Sequence, residues 1–134
     1  MALADLAVLA GRIVFAAVVG YLALGNLLDR EGAVAYARSK GAPFAGVTVP
    51  LGSLGLVAAA VSIALGVYPG LGVLAIVAIL GPITVLMHDF WALEGQDAQN
   101  ERIHFLKNAG LVGAALVLLA VPPSGWPFAL GLAL

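Results

Sequence analysis

From Gly41 to Met87 the chain contains no Asp, Glu, Lys, Arg or His. No other feature restricts the fold as strongly. A membrane-spanning helix takes about 20 mostly apolar residues, so this stretch is too long for one span and long enough for two. Pro69-Gly70 is the strong break near its middle. It places helices at Val47–Val67 and Gly70–Trp91. Two more stretches reach spanning length: Ala4–Leu28, interrupted by Asp5 and Arg12, and Arg102–Val121, stopped by Pro122-Pro123.

Composition decides between lipid and water. The 134 residues are 63% hydrophobic and only 10% charged, against about 25% charged in soluble domains. A soluble fold of this size would leave much apolar surface exposed. The apolar runs are continuous rather than alternating, which argues against barrel strands. Backbone groups in lipid must be satisfied within the segment, which leaves helices. The expected fold is an all-α integral membrane protein, a single domain built as an antiparallel bundle of four transmembrane helices. Its polar loops are expected at 29–46 and 92–101, with an apolar tail at 122–134. The first charge is acidic, Asp5, and Arg12 lies inside the first apolar stretch. That stretch therefore reads as a retained helix rather than a signal peptide. The tail is too short to span and is expected in the interface, anchored by Trp126.

Nearly all charge falls in two segments, Asp29–Lys40 and His88–Lys107. With four spans these share one membrane face. Basic residues favour the cytoplasm, so the protein is expected in the cell membrane, with both termini outside and the charged loops cytoplasmic. Within the first segment, Gly32–Lys40 reads as a short amphipathic piece with Tyr36 at the interface. The few basic residues form no patch of the kind nucleic acid requires. The absence of cysteine excludes a disulfide, a thiol relay and a thiolate-bound metal within this chain. No phosphate loop, nucleophile elbow or zinc spacing is present. Gly11, Gly20, Gly52, Gly55, Gly110 and Gly113 allow close helix approach, within the bundle or in a homo-oligomer alike. Gly81-Pro82 predicts a kink in the third helix.

The candidate site residues are the polar groups in or near the spans. Arg12 is an intramembrane charge. It either faces a buried ligand, such as a quinone carbonyl or a lipid headgroup, or it snorkels or pairs with Asp5 or a backbone carbonyl. His88 and Asp89 close the third helix. Glu101, His104, Lys107 and Asn108 form a polar strip at helical spacing at the start of the fourth. Metal binding is weak here, because di-iron bundles carry two Glu-x-x-His units and two further glutamates, and this chain has one such unit. A quinone-head or proton-relay site suits His beside a carboxylate. The third reading is a structural hydrogen-bond and ion-pair network tying the third and fourth helices together at headgroup level. Phe90, Trp91 and Phe105 form an interfacial aromatic belt or a wall for a ring-shaped ligand.

The segment MHDFWALEGQDAQNERIHFLKNAGLVGAALVL resembles the DoxX family of small four-helix membrane proteins. The likeness lies in the His-Asp-Phe-Trp turn, the polar loop and the His-Phe-Leu-Lys-Asn entry to the last helix. GRIVFAAVVGYLALG and AVAYARSKGAPFA fit the same family. The chain departs from it in having no acid in the second helix, where many relatives carry a glutamate. The resemblance implies a redox-linked subunit, since members are linked to terminal quinol oxidase and thiosulfate:quinone oxidoreductase systems. On that reading the chain binds quinone, or anchors a soluble or membrane oxidoreductase subunit, and is not a complete enzyme alone. Arg12, His88, Asp89, Trp91, His104, Phe105, Lys107 and Asn108 are the expected ligand-binding residues, with no metal and no nucleic-acid partner. The alternative is a non-catalytic scaffold or small transporter-like protein.

Overall fold

The computed structural model describes residues 1–131. The helices are α1 (Leu3–Leu28), α2 (Arg30–Ser39), α3 (Ala45–Leu65), α4 (Pro69–Met87) and α5 (Gly95–Leu119), with short 3-10 turns at Phe90–Ala92 and Pro123–Gly125. Among the described residues no strand occurs. Four helices, α1, α3, α4 and α5, are long and apolar enough to cross a membrane. The chain is an all-α, multi-pass membrane protein. The polar segment 29–46 contains a whole helix, α2, longer than the amphipathic piece expected there.

The starts of α1, α2 and α5 have local causes. The Ala2 N–H donates to the Asp5 carboxylate at 2.9 Å, which caps α1. The Asp29 carboxylate accepts from the Gly32 N–H at 3.1 Å and starts α2. Glu31 lies in the first turn of α2 and Arg38 in its last, each on the favourable end of the helix dipole. α5 begins seven residues before Arg102, where the apolar run was expected to start helix four. The pair Gln96–Asn100, donor to acceptor 3.0 Å, and Asp97 in the first turn support that extension. A bilayer sets how much of a helix is apolar, not where the helix begins.

Packing runs through small residues. Gly20 lies against Ala60, and Gly52 and Gly55 lie against Ile79. Gly72 sits so close to Ser62 and the Ala59 carbonyl that a methyl group there would meet both at 3.0 Å or less. Gly11, Gly110 and Gly113 meet nothing. The core is Phe15, Val19, Leu56, Ile63, Val73, Ile76 and their neighbours. α1 packs on α3, α3 on α4 and α4 on α5, whereas α1 and α5 barely touch. A second small core, Val34, Ala37 and Ala45, seats α2 on the bundle.

The tail corrects an expectation. Trp126 is not an interfacial anchor. It is 7% exposed and belongs to the main core, because residues 122–131 fold back over the end of the bundle. The Leu130 N–H donates to the Leu65 carbonyl at 3.1 Å, and the Trp126 indole N–H donates to the Val121 carbonyl at 3.2 Å. This pairs its polar tip and lets the ring be buried. Residues 132–134 of the expected tail lie outside the described residues.

Candidate functional site

The charged segments meet at one end of the bundle. The Lys40 ammonium is 2.7 Å from the Asp89 carboxylate and 3.7 Å from Glu101. His88 Nδ1 is 2.7 Å from Glu101 Oε2. The Tyr36 hydroxyl donates to Glu101 Oε1, and the Met87 carbonyl lies 3.1 Å from the same hydroxyl. Glu101 thus ties the start of α5 to α2 and to the end of α4. Burial, reinforced by the Glu101 hydrogen bond, pushes the Tyr36 phenol up. The hydrogen bond to Asp89 holds Lys40 above the ordinary ammonium range.

Beneath this network lies a half-open cavity of about 470 Å³. Val19, Leu22 and Ala23 of α1, Leu56 of α3, and Ile79, Leu80 and Ile83 of α4 supply apolar wall. His88, His104, Lys107, Asn108, Tyr36 and Asn26 supply polar groups, with the hydroxyls of Thr48 and Ser53. The His88 and His104 rings stack at 5.3 Å between centroids, 23° from parallel. Lys107 Nζ is 3.5 Å from His104 Nδ1, too far for a strong hydrogen bond. Asn108 is 5% exposed, and its amide has no hydrogen-bond partner among the described residues. Neither Lys107 nor Asn108 belongs to the ion-pair network, so both donors are free for a ligand in the cavity.

The expected site residues therefore separate. His88, His104, Lys107 and Asn108 line one cavity. Asp89 pairs with Lys40 outside it. Trp91 and Phe105 pack edge-on, ring centres 5.9 Å apart, in a group with Phe90 and outside the cavity lining. Arg102 lies over the Phe90 ring at 5.3 Å. Arg12 is elsewhere altogether. It is 2% exposed, beside Gly66 and under Trp126, whose ring centre lies 5.6 Å from the guanidinium carbon. Asp5, once a candidate partner for Arg12, is engaged at the Ala2 amide.

Sequence reasoning placed Tyr36 at the interface as an anchor and did not connect it to Glu101. The signal available was its i, i+4 spacing from Lys40, the residue that closes α2, which brings the two side chains to one side of the helix end. Asn26 carried no signal beyond being a polar residue near the end of a span. Among the described residues no three His, Asp or Glu side chains converge as a metal site would require.

Comparison with family models, with curated proteins and with solved structures returns no match to this chain.

Proposed function

We propose that this protein binds the head of a quinone in the cavity between α1, α3, α4 and α5, as a redox-linked membrane subunit. The observation that carries the reading is the cavity itself: apolar walls and a set of unengaged N–H donors at one end. Its volume falls in the range of small-molecule sites. Lys107 and Asn108 present donors to a carbonyl oxygen, and His104 stands beside them. The apolar walls exclude water and take up the ring and tail. α1 and α5 both line the cavity and barely touch each other, which suits lateral entry from lipid. His88, paired with Glu101, stands where it can hold or pass a proton. A bound quinone would itself supply the two-electron, two-proton chemistry. The DoxX resemblance points the same way.

The charged end also suits a docking face for an oxidoreductase partner. All Lys and Arg except Arg12 lie at that end, which supports a cytoplasmic placement for it with both termini outside. A second reading, a non-catalytic scaffold, draws on one observation. Glu101 is fully engaged with Tyr36, His88 and Lys40, as a purely structural tie would be.

Native mass spectrometry of the protein gently extracted from its own membranes separates the two. A co-purifying quinone, lost in Asn108→Leu and Lys107→Leu variants of unchanged melting temperature, supports the quinone reading. Protein that carries phospholipid alone and takes up no added short-chain quinone overturns it in favour of the scaffold.

A further inference from the structure

The proposed quinone site leaves Arg12 without a role, and Arg12 is the least comfortable group in the molecule. It is 2% exposed. Its Nε and Nη1 atoms are buried with no hydrogen-bond partner, and among the described residues it has no carboxylate partner. A guanidinium carries five N–H donors. A buried charge without a partner is strongly disfavoured, in lipid as in a protein core. The Trp126 ring compensates part of the charge at 5.6 Å, but a ring over the face of a guanidinium leaves the N–H groups around its edge unsatisfied.

The position is informative too. Arg12 lies nine residues into α1, about 14 Å along it at 1.5 Å per residue. Yet it sits level with Gly66, at the turn between α3 and α4. The start of α1 therefore runs past the α3–α4 turn, and Arg12 belongs to that end of the bundle rather than to its middle. What hides it is the strap 122–131. The strap lies directly on Gly66, where a methyl group would stand 2.5 Å from the Ala129 side chain. The left-handed φ of +65° at Gly66 also disfavours any larger residue. The hydrogen bond from the strap to α3 is the one from Leu130 to Leu65. Beside it runs a groove of about 170 Å³ with Gly66, Pro69, Leu118, Val121, Trp126 and Ala129 among its lining.

We propose that Arg12 anchors an oxyanion site and that the strap 122–131 is its lid. The ligand class is a phosphate-type oxyanion, either the headgroup of a membrane phospholipid or the free ion. Such an anion would accept two parallel N–H bonds from the guanidinium edge, and Trp126 would remain on its face. The apolar groove beside the strap suits the glycerol and acyl part of a lipid. The closed strap conceals a charge that it does not neutralise, and this disfavours the closed state unless an anion is bound beneath it. The site lies at the opposite end of the bundle from the quinone cavity, and neither proposal depends on the other.

The test uses the full chain, wild type and Arg12→Gln, with Arg12→Lys as the variant that keeps the charge and loses the planar fork. Each is reconstituted in mixed phosphatidylcholine–phosphatidylglycerol nanodiscs and released for native mass spectrometry. In parallel, each is melted in uncharged detergent with and without inorganic phosphate. A lipid source predicts a single retained phospholipid in the wild type, weakened about tenfold or more in Arg12→Gln and less in Arg12→Lys. A free-ion source predicts no retained lipid but a phosphate-dependent rise in melting temperature that Arg12→Gln lacks. Trp126→Ala, which removes the lid's main contact, should speed exchange at the site in either case. Lipid retention and phosphate response that are the same in wild type and variants would overturn the proposal. If Arg12→Gln does not fold, an Arg12→Lys protein that retains lipid and responds to phosphate as the wild type does overturns it equally.

Discussion

The two ends of the bundle treat buried charge in opposite ways. At the α2–α5 end the charges come in matched sets. Lys40 meets Asp89, and Glu101 accepts from Tyr36 and His88. At the other end a single Arg12 is sealed beneath Trp126 with two nitrogens unpartnered. The first arrangement is complete within the chain and holds three helices together. The second is incomplete within the described residues and calls for something from outside. Buried ion pairs and buried lone ions differ most sharply in what their removal does. The comparison can therefore be tested by substitution.

The largest effect should come from Glu101→Ala. The Glu101 side chain is 14% exposed, and its loss leaves Tyr36, His88 and Lys40 without a shared acceptor. Unfolding in mixed micelles should show a loss of about 3 kcal/mol. A loss below a few tenths would mean that the network is only a surface arrangement. Arg12→Met should do the reverse. In detergent free of phosphate and anionic lipid, replacing an unpaired buried cation by an apolar chain of similar length should stabilise by about 2 kcal/mol. If Arg12→Met destabilises as Glu101→Ala does, Arg12 is already paired and the contrast between the ends fails.

How much of this was legible in the sequence follows the same division. The four spans came from hydrophobic length alone, because lipid imposes a minimum apolar run and leaves helices as the solution. The start of α5 did not, since Gly95–Glu101 is polar helix beyond the apolar run and only local pairs such as Gln96–Asn100 mark it. His88, His104, Lys107 and Asn108 were legible because helical spacing and the shared membrane face bring them together. The engagement of Tyr36 was not, because it depends on how α2 lies across the bundle, a tertiary choice fixed by Val34 and Ala37 packing near Ala45 and Met87. Trp126 was misplaced for a related reason. Tryptophan at the end of a span ordinarily marks the interface, and only the return of the strap onto a side-chain-free Gly66 buries it.

A smaller effect sharpens the division within the charged end, between groups that serve the network and groups left to the cavity. Lys107→Leu should weaken retention of a short-chain quinone about tenfold, or about 1.4 kcal/mol, with little change in unfolding. Lys40→Leu should do the opposite, lowering stability with little direct effect on the ligand, since Lys40 does not line the cavity. Matching effects of the two variants on both measurements would dissolve the distinction between network and cavity.

The smallest effect is a pH dependence confined to the network. Tyr36 and Lys40 both hold their protons more tightly in the folded protein than outside it. Burial and Glu101 oppose the phenolate, and Asp89 favours the ammonium. Groups raised in this way contribute their full stability below their ordinary values, 10.0 for the phenol and 10.5 for the ammonium. They lose it as pH climbs through the higher folded values. These two groups should therefore leave stability level up to about pH 10 and make it fall beyond. Tyr36→Phe removes the phenol, costs about 1 kcal/mol at neutral pH through its lost hydrogen bond, and should make the alkaline decline shallower. The readout is the melting temperature in uncharged detergent from neutral to strongly alkaline solution. Arg12→Met, at the far end, should shift that curve as a whole and leave its alkaline slope unchanged. A variant curve parallel to the wild type for Tyr36→Phe would place the phenol outside the network and leave the Lys40 ammonium to account for the alkaline decline.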